Sequence, residues 1–109
     1  MTVKELMEKC GLTALSLPTP DKEVAGVYVG DLLSWVMGRA EAENVWITIM
    51  SNVNVMAVAS LADVSCVLLA EGVTLDSEVL SVAEAKGINV LSSDEPIYET
   101  ALKIGGILS

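Results

Sequence analysis

The run Val64-Ser65-Cys66-Val67-Leu68-Leu69-Ala70 decides the fold, because a continuous apolar strand of this kind belongs in a sheet covered on both faces. A strand with one solvent-exposed face would instead alternate apolar and polar residues. Val45 to Met50 precedes the run and is rich in β-branched and aromatic side chains, which favours a second strand. Ile88 to Leu91 follows as a third strand. These runs predict the middle of a sheet buried between layers of helices.

Working outward, strands alternate with helical patterns from residue 24 to the end of the chain. Asn52 to Leu61 is the ambiguous segment, because some of its apolar residues alternate as in a strand while others keep helical spacing. We favour a helix there, since the segment links two strands and is rich in Ala and Met. The alternation predicts an α/β fold, a layered sandwich with a mainly parallel sheet flanked by helices.

Capping residues mark where the helices begin. They are Thr2 with Glu5, Gly30 with Asp31, Asp76, and Ser93 or Asp94. Upstream of residue 24, Leu12 to Leu17 is predicted as a short strand, and the proline-containing residues 17–22 as a turn. No charge run, repeat or low-complexity block divides the chain, so we expect residues 1–109 to form a single domain.

The composition excludes several classes of function. The chain has 109 residues, no His, and a formal charge of −9. Without imidazole there is no Ser-His-Asp triad, no Cys-His pair and no His metal ligand. The negative charge repels nucleic acid and anionic membranes, so we expect neither as a partner. The polar N-terminal residues and the lack of an uninterrupted apolar span predict a cytoplasmic protein.

Cys10 and Cys66 are the only two cysteines. They are too few and too far apart for a metal knuckle. A disulfide is compatible with their number. However, Cys66 lies inside an apolar run, where a small buried thiol is ordinary. We therefore favour two reduced cysteines with a structural role.

A candidate ligand-binding site lies where two strands lead into helices. It comprises the Gly30-Asp31 turn together with Ser51, Asn52 and Asn54. Free backbone N–H groups at a helix start, beside polar side chains, form a natural anion site, and ligands of open α/β sheets bind at this edge. The alternative is that Ser51 or Asn52 simply caps a helix, and that Gly30 serves the turn. No glycine-rich phosphate loop and no acidic dyad accompanies these residues, so the sequence predicts no metal site and no cofactor.

A candidate interface lies on the helix that follows Asp31. Leu32, Leu33, Val36, Met37 and Ala40 keep helical spacing and predict its buried stripe. Trp35 lies off that stripe, with Arg39 one turn away. A tryptophan beside an arginine on an outer face is often an interface anchor. The alternative is a tryptophan that lies under a loop or against the first helix.

Much of the chain resembles the DRTGG domain family. Leu68 to Ser93 has the family's apolar strand, glycine turn, helix, glycine and short strand, and Asp94 to Ala101 resembles the helix start that follows. Gly26 to Ser34 resembles an earlier strand-to-helix turn. The Asp-Arg-Thr-Gly-Gly signature itself is missing: residues 50–54, Met-Ser-Asn-Val-Asn, stand where it would follow the Val45–Ile49 strand. A ligand role of that signature therefore does not carry over to these residues.

The resemblance implies a fold similar to the N-terminal domain of bacterial HPr kinase/phosphatase, which has no catalytic residues. It further implies a regulatory or assembly module, often placed at subunit contacts. Together with the apolar surplus and Trp35, this predicts a non-catalytic interaction module that forms a homodimer and docks on a protein partner. The alternative function is a sensor of a nucleotide or an anionic metabolite. An enzyme is the least favoured class, because no catalytic arrangement is recognisable.

Overall fold

The computed structural model describes residues 1–108, which form ten helices and strands. In chain order they are α1 (Val3–Cys10), β1 (Thr13–Ser16), β2 (Gly26–Val29), α2 (Leu33–Arg39), β3 (Asn44–Thr48), α3 (Val53–Ala62), β4 (Cys66–Leu69), α4 (Ser77–Lys86), β5 (Val90–Ser92) and α5 (Ile97–Leu108). The predicted alternation from residue 24 onward is confirmed. Within the described residues, none of the helices is both long and apolar enough to cross a bilayer.

All five strands form one sheet in the order β1-β5-β4-β3-β2. The strands β2 to β5 are parallel, which confirms a mainly parallel sheet. The sheet is nevertheless mixed, because β1 pairs with β5 in the antiparallel direction, with Thr13 opposite Ser92. The first strand in the sequence thus lies beside the last, at the far edge from β2.

The strand β4 is apolar throughout because both of its faces are covered. All four of its residues are buried. Val67 and Leu69 belong to the apolar cluster formed with α2, α3 and α4, whereas Cys66 and Leu68 belong to the cluster formed with α1 and α5. The sheet therefore lies between three helices on one face and two on the other.

The ambiguous segment is the helix α3, as favoured from its composition. Its N-cap is Asn52, whose side-chain Oδ1 accepts a hydrogen bond from the Asn54 amide at 3.0 Å. Four of its residues are buried between the sheet and the neighbouring helices: Val55, Met56, Val58 and Ala59. Because the helix is apolar on nearly every side, periodicity alone does not reveal which of its faces is buried.

The predicted caps of α1 and α4 are confirmed. Thr2 and Glu5 form the capping box of α1, and the Asp76 carboxylate accepts a hydrogen bond from the Val79 amide at 3.0 Å. The predicted cap of α5 by Ser93 or Asp94 is wrong. α5 begins at Ile97, whose amide donates to Oε2 of Glu71 at 2.8 Å. A side chain from the loop after β4 therefore stabilises the start of α5, and local sequence could not show this.

Residues 17–25, which we name the strap, join β1 at one edge of the sheet to β2 at the other. The five strands span roughly 19 Å at about 4.8 Å per pair, and nine extended residues span roughly 30 Å, so the length suffices. The strap crosses the amino ends of the strands. There the Thr19 amide donates a hydrogen bond to Oδ1 of Asn89, and the Lys22 ammonium forms an ion pair with Oδ1 of Asp63 at 2.9 Å. The turn predicted for residues 17–22 is part of this longer connection.

Both cysteines are buried and free, as expected for reduced structural cysteines. Cys66 is completely enclosed, and this burial raises the pKa of its thiol to about 12. Burial also raises the pKa of Cys10, while the nearby Lys103 ammonium acts in the opposite direction. The thiolate, which is the reactive form, is thus strongly disfavoured at Cys66.

We expect Cys66 to resist alkylation in the folded protein, because the reagent needs both access and a thiolate. Cys10 lies nearer the surface and should react first. Mass spectrometry of peptides after timed exposure to iodoacetamide measures both rates, and a denatured sample gives the reference rate for each thiol. Equal rates at Cys10 and Cys66 in the folded protein would contradict this expectation.

Candidate functional site

The carboxyl ends of the four parallel strands meet at one edge of the sheet. Gly30 and Asp31 follow β2, while Ser51 and Asn52 follow β3, so the predicted ligand-site residues all lie along this edge. It is the edge at which open α/β sheets bind ligands. Within residues 1–108, however, no hydrogen bond joins the Gly30-Asp31 pair to Ser51, Asn52 or Asn54.

Asp31 fastens the turn after β2 to the end of β3. Its Oδ1 accepts hydrogen bonds from the Thr48 hydroxyl at 2.6 Å and from the Ile49 amide at 3.1 Å. Thr48 is fully buried, so the carboxylate satisfies a hydroxyl that has no access to water. The expectation that Asp31 opens the next helix is wrong: the N-cap of α2 is Leu32, which makes no side-chain cap bond.

Glycine is favoured at position 30 by a close side-chain contact rather than by an unusual backbone angle. Its carbonyl accepts a hydrogen bond from Nε1 of Trp46 at 2.9 Å, and its amide donates to the Ile47 carbonyl at 3.2 Å. A Cβ at this position would lie 3.1 Å from the ring of Tyr28. The turn is thus packed between a buried tryptophan and a tyrosine, and its backbone groups are already used.

Asn52 lies at the start of α3, where its side chain is occupied by the cap described above. The residue also lines a cavity of about 310 Å³ between the starts of α3 and α4. Asp76 and Glu78 contribute carboxylates to that cavity. Ser51 is half-buried beside it and Asn54 is exposed. Two carboxylates disfavour an anion in the cavity, so its charge does not match the predicted anionic ligand.

The candidate interface is prominent in the structure. Trp35 is 53% exposed, and the Cζ of Arg39 lies 3.9 Å from the centroid of its ring, a cation–π contact. Leu32, one turn earlier, is 59% exposed. We call Leu32, Trp35 and Arg39 the α2 surface, since their spacing places them along one side of the helix. α1 packs on the opposite face of the sheet, so it does not cover Trp35.

The predicted inward stripe of α2 is correct only in part. Val36 is buried, and Leu33 and Ala40 pack against the same cluster. Leu32 and Met37 are exposed, because α2 is a short helix at the edge of the sheet and covers it with a narrow face. The sequence therefore missed Leu32 as part of the α2 surface, although its spacing of three residues from Trp35 carried that signal.

No candidate metal site is found in the described part of the chain. In residues 1–108, no group of three or more Cys, Asp or Glu side chains is placed to hold a metal ion. The Thr48 hydroxyl donates a hydrogen bond to the Asp31 carboxylate, but Thr48 is fully buried, so its hydroxyl is not placed to attack a substrate. The arrangement offers backbone and apolar surface for recognition.

Comparison with known proteins places the chain in a family. No curated protein matches it. Among solved structures, it is similar to the CBS and DRTGG domains of the regulatory region of Clostridium perfringens pyrophosphatase, complexed with the activator diadenosine tetraphosphate. The TM-score is 0.73 at 15% sequence identity, over 94% of this chain and 45% of that one, so the chain spans less than half of that structure. The likeness shows the same α/β fold.

The sequence itself matches the DRTGG domain profile over residues 5–107. This match includes every strand and all but the first residues of the helix α1. The chain therefore belongs to the DRTGG domain family.

Proposed function

We propose that the protein is a non-catalytic regulatory module that forms a homodimer through the α2 surface and docks on a protein partner. The observation that carries the proposal is the exposure of Trp35, with Arg39 stacked on its ring. Trp and Arg are the residues most enriched at the energetic centres of interfaces. The contact with Arg39 orders both side chains before binding, which lowers the entropy cost of association.

The family and its solved relative support a regulatory role. The similar structure is a regulatory region, crystallised with an activator. In that protein the DRTGG domain accompanies CBS domains, and the present chain corresponds to less than half of the structure. A DRTGG domain that regulates through contacts with other domains or proteins needs an exposed recognition surface, which the α2 surface supplies.

The sensor function receives less support from the site geometry. The Asp31 and Asn52 side chains are occupied by structural hydrogen bonds, and the cavity at Asn52 carries the Asp76 and Glu78 carboxylates. The formal charge of −9 also opposes tight binding of an anion. The candidate ligand-site residues therefore remain a prediction, and recognition through the α2 surface is the better supported function.

We expect Trp35→Ala to weaken the homodimer by at least about 2 kcal/mol, roughly a thirtyfold rise in its dissociation constant. The reason is that each protomer of a two-fold symmetric dimer loses its aromatic anchor. Sedimentation equilibrium over a concentration series measures the constant directly.

Tyr98→Ala is the matched control, because Tyr98 is 67% exposed but lies on α5, on the opposite face of the sheet. It should leave the dissociation constant unchanged. A parent protein that is monomeric at high micromolar concentration would refute the homodimer, and equal effects of the two variants would refute the location at α2.

A further inference from the structure

The two edges of the sheet, β1 and β2, are protected to different degrees. The register of β1 against β5 is irregular between Ala14 and Ser16, and the strap that follows β1 contains two prolines. Bulges and prolines keep an edge strand from pairing with another chain. By contrast, β2 keeps a regular register along its whole length, and it contains neither a proline nor a charged side chain. The edge formed by β2 is therefore open to a further strand.

The register shows which backbone groups of β2 lie on its outer side. The Gly30 amide donates to the Ile47 carbonyl at 3.2 Å, at the end of the ladder between β2 and β3. Successive residues of a strand direct their amides to opposite sides. The Tyr28 amide therefore faces β3, whereas the amides and carbonyls of Val27 and Val29 face outward. Among residues 1–108, no strand lies on that outer side.

Two observations favour a second copy of this chain as the added strand. First, the α2 surface, where we place the homodimer, belongs to the helix that covers this edge, since Leu33 and Val36 share an apolar cluster with Tyr28. Second, copies that each carry a formal charge of −9 repel one another wherever acidic side chains meet. Neither β2 nor α2 contains an acidic residue, and Arg39 is the only charged residue in the two elements.

We propose that two copies pair through antiparallel β2 strands, which joins their five-stranded sheets into one; this inference rests on the homodimer proposed above. A two-fold axis at Tyr28, perpendicular to the sheet, sets Val27 of each copy opposite Val29 of the other. Each of these pairs exchanges two backbone hydrogen bonds. The two α2 helices then lie on the same face of the joined sheet. Asp31 falls opposite Ala25 of the second copy, so carboxylates are kept apart.

Amide hydrogen exchange of the ¹⁵N-labelled protein, followed by NMR in dilute and concentrated samples, tests the pairing. We expect the amides of Val27 and Val29 to exchange at least about fivefold more slowly in the dimer, because only the dimer supplies their acceptors. The Tyr28 amide is the internal control, since it faces β3 in both states. Its exchange rate should change less than those of its two neighbours.

Val29→Pro tests the same contact by mutation. Proline is tolerated on an edge strand where its missing N–H would face away from the sheet, and the Val29 side chain is 46% exposed. We expect the variant to keep the circular dichroism spectrum of the parent, while its homodimer dissociation constant rises at least about tenfold. Val29→Thr is the matched control, because it keeps the amide and the β-branched shape. It should change the constant by less than about threefold.

The outcomes separate this inference from the proposed homodimer. A parent protein that stays monomeric would overturn both. A parent that dimerises and is weakened by Trp35→Ala, but whose Val27 and Val29 amides exchange equally fast at all concentrations, would retain the homodimer and overturn the pairing. Equal dissociation constants for Val29→Pro and Val29→Thr would also overturn it, and would leave β2 free for a strand of a different protein.

Discussion

Trp46→Ala is expected to lower the free energy of unfolding by about 3–5 kcal/mol. Trp46 is fully buried, in the same cluster as Val36 and Val55, and its removal leaves a cavity in the layer between the sheet and α2–α4. The variant also loses the hydrogen bond from the indole N–H to the Gly30 carbonyl. Urea unfolding followed by far-ultraviolet circular dichroism measures the change, because it does not depend on tryptophan fluorescence.

Trp46→Phe separates the two contributions, since phenylalanine keeps much of the apolar volume but has no N–H donor. Its cost should be about 1–3 kcal/mol, mostly from the unpaired carbonyl and the smaller ring. If Trp46→Ala were no more damaging than Trp46→Phe, the packing argument would fail.

Asn89→Ala is expected to lower the free energy of unfolding by about 2–4 kcal/mol. The buried amide accepts a hydrogen bond from the Thr19 amide at 2.9 Å, and donates to the carbonyls of Thr19 and Ser65 at 2.7 and 3.0 Å. Alanine would leave the Ser65 carbonyl unpaired in a buried position and the Thr19 amide unpaired in a partly buried one, while the Thr19 carbonyl would keep only its hydrogen bond from the Lys22 amide. The strap would also loosen, so cleavage by trypsin after Lys22 should accelerate.

Asn54→Ala provides the comparison, because Asn54 is exposed and contributes only its backbone amide to the α3 cap. This variant should change the free energy of unfolding by no more than about 0.5 kcal/mol and leave trypsin cleavage at Lys22 unaltered. Similar losses for Asn89→Ala and Asn54→Ala would show that the strap is not held by the Asn89 amide.

The parts of the fold that were predictable are those determined by local pattern. The unbroken apolar run around β4 indicated a sheet covered on both faces, and the alternation after residue 24 indicated a parallel sheet. Thr2 and Asp76 could be assigned as caps because a cap bond spans only a few residues.

The parts that were missed depend on residues distant in the sequence. No residue near β1 in the sequence indicates that β1 pairs with β5. Likewise, no residue near Ile97 indicates that the Ile97 amide donates a hydrogen bond to the Glu71 carboxylate. Asp31 looked like a helix cap because Asp favours caps, but the Thr48 hydroxyl competes for it. The same holds for the α2 surface. Local spacing correctly predicts that Trp35 lies on the outer face of α2. It wrongly places Leu32 in the buried stripe, because how much of α2 the sheet edge covers is a tertiary property.

The pairing of β1 with β5 has a consequence for synthesis of the chain. Thr13 and Ser92 are roughly eighty residues apart, so at about 5–20 residues per second the ribosome makes β1 some 4–16 s before its partner. During that interval β2, β3 and β4 can pair with one another, while α1 and β1 have no strand to join. When several ribosomes translate one messenger RNA, the unpaired α1-β1 segment of one nascent chain can instead pair with β5 of another. Exchange of this segment between copies is therefore the form of misassembly that this topology favours.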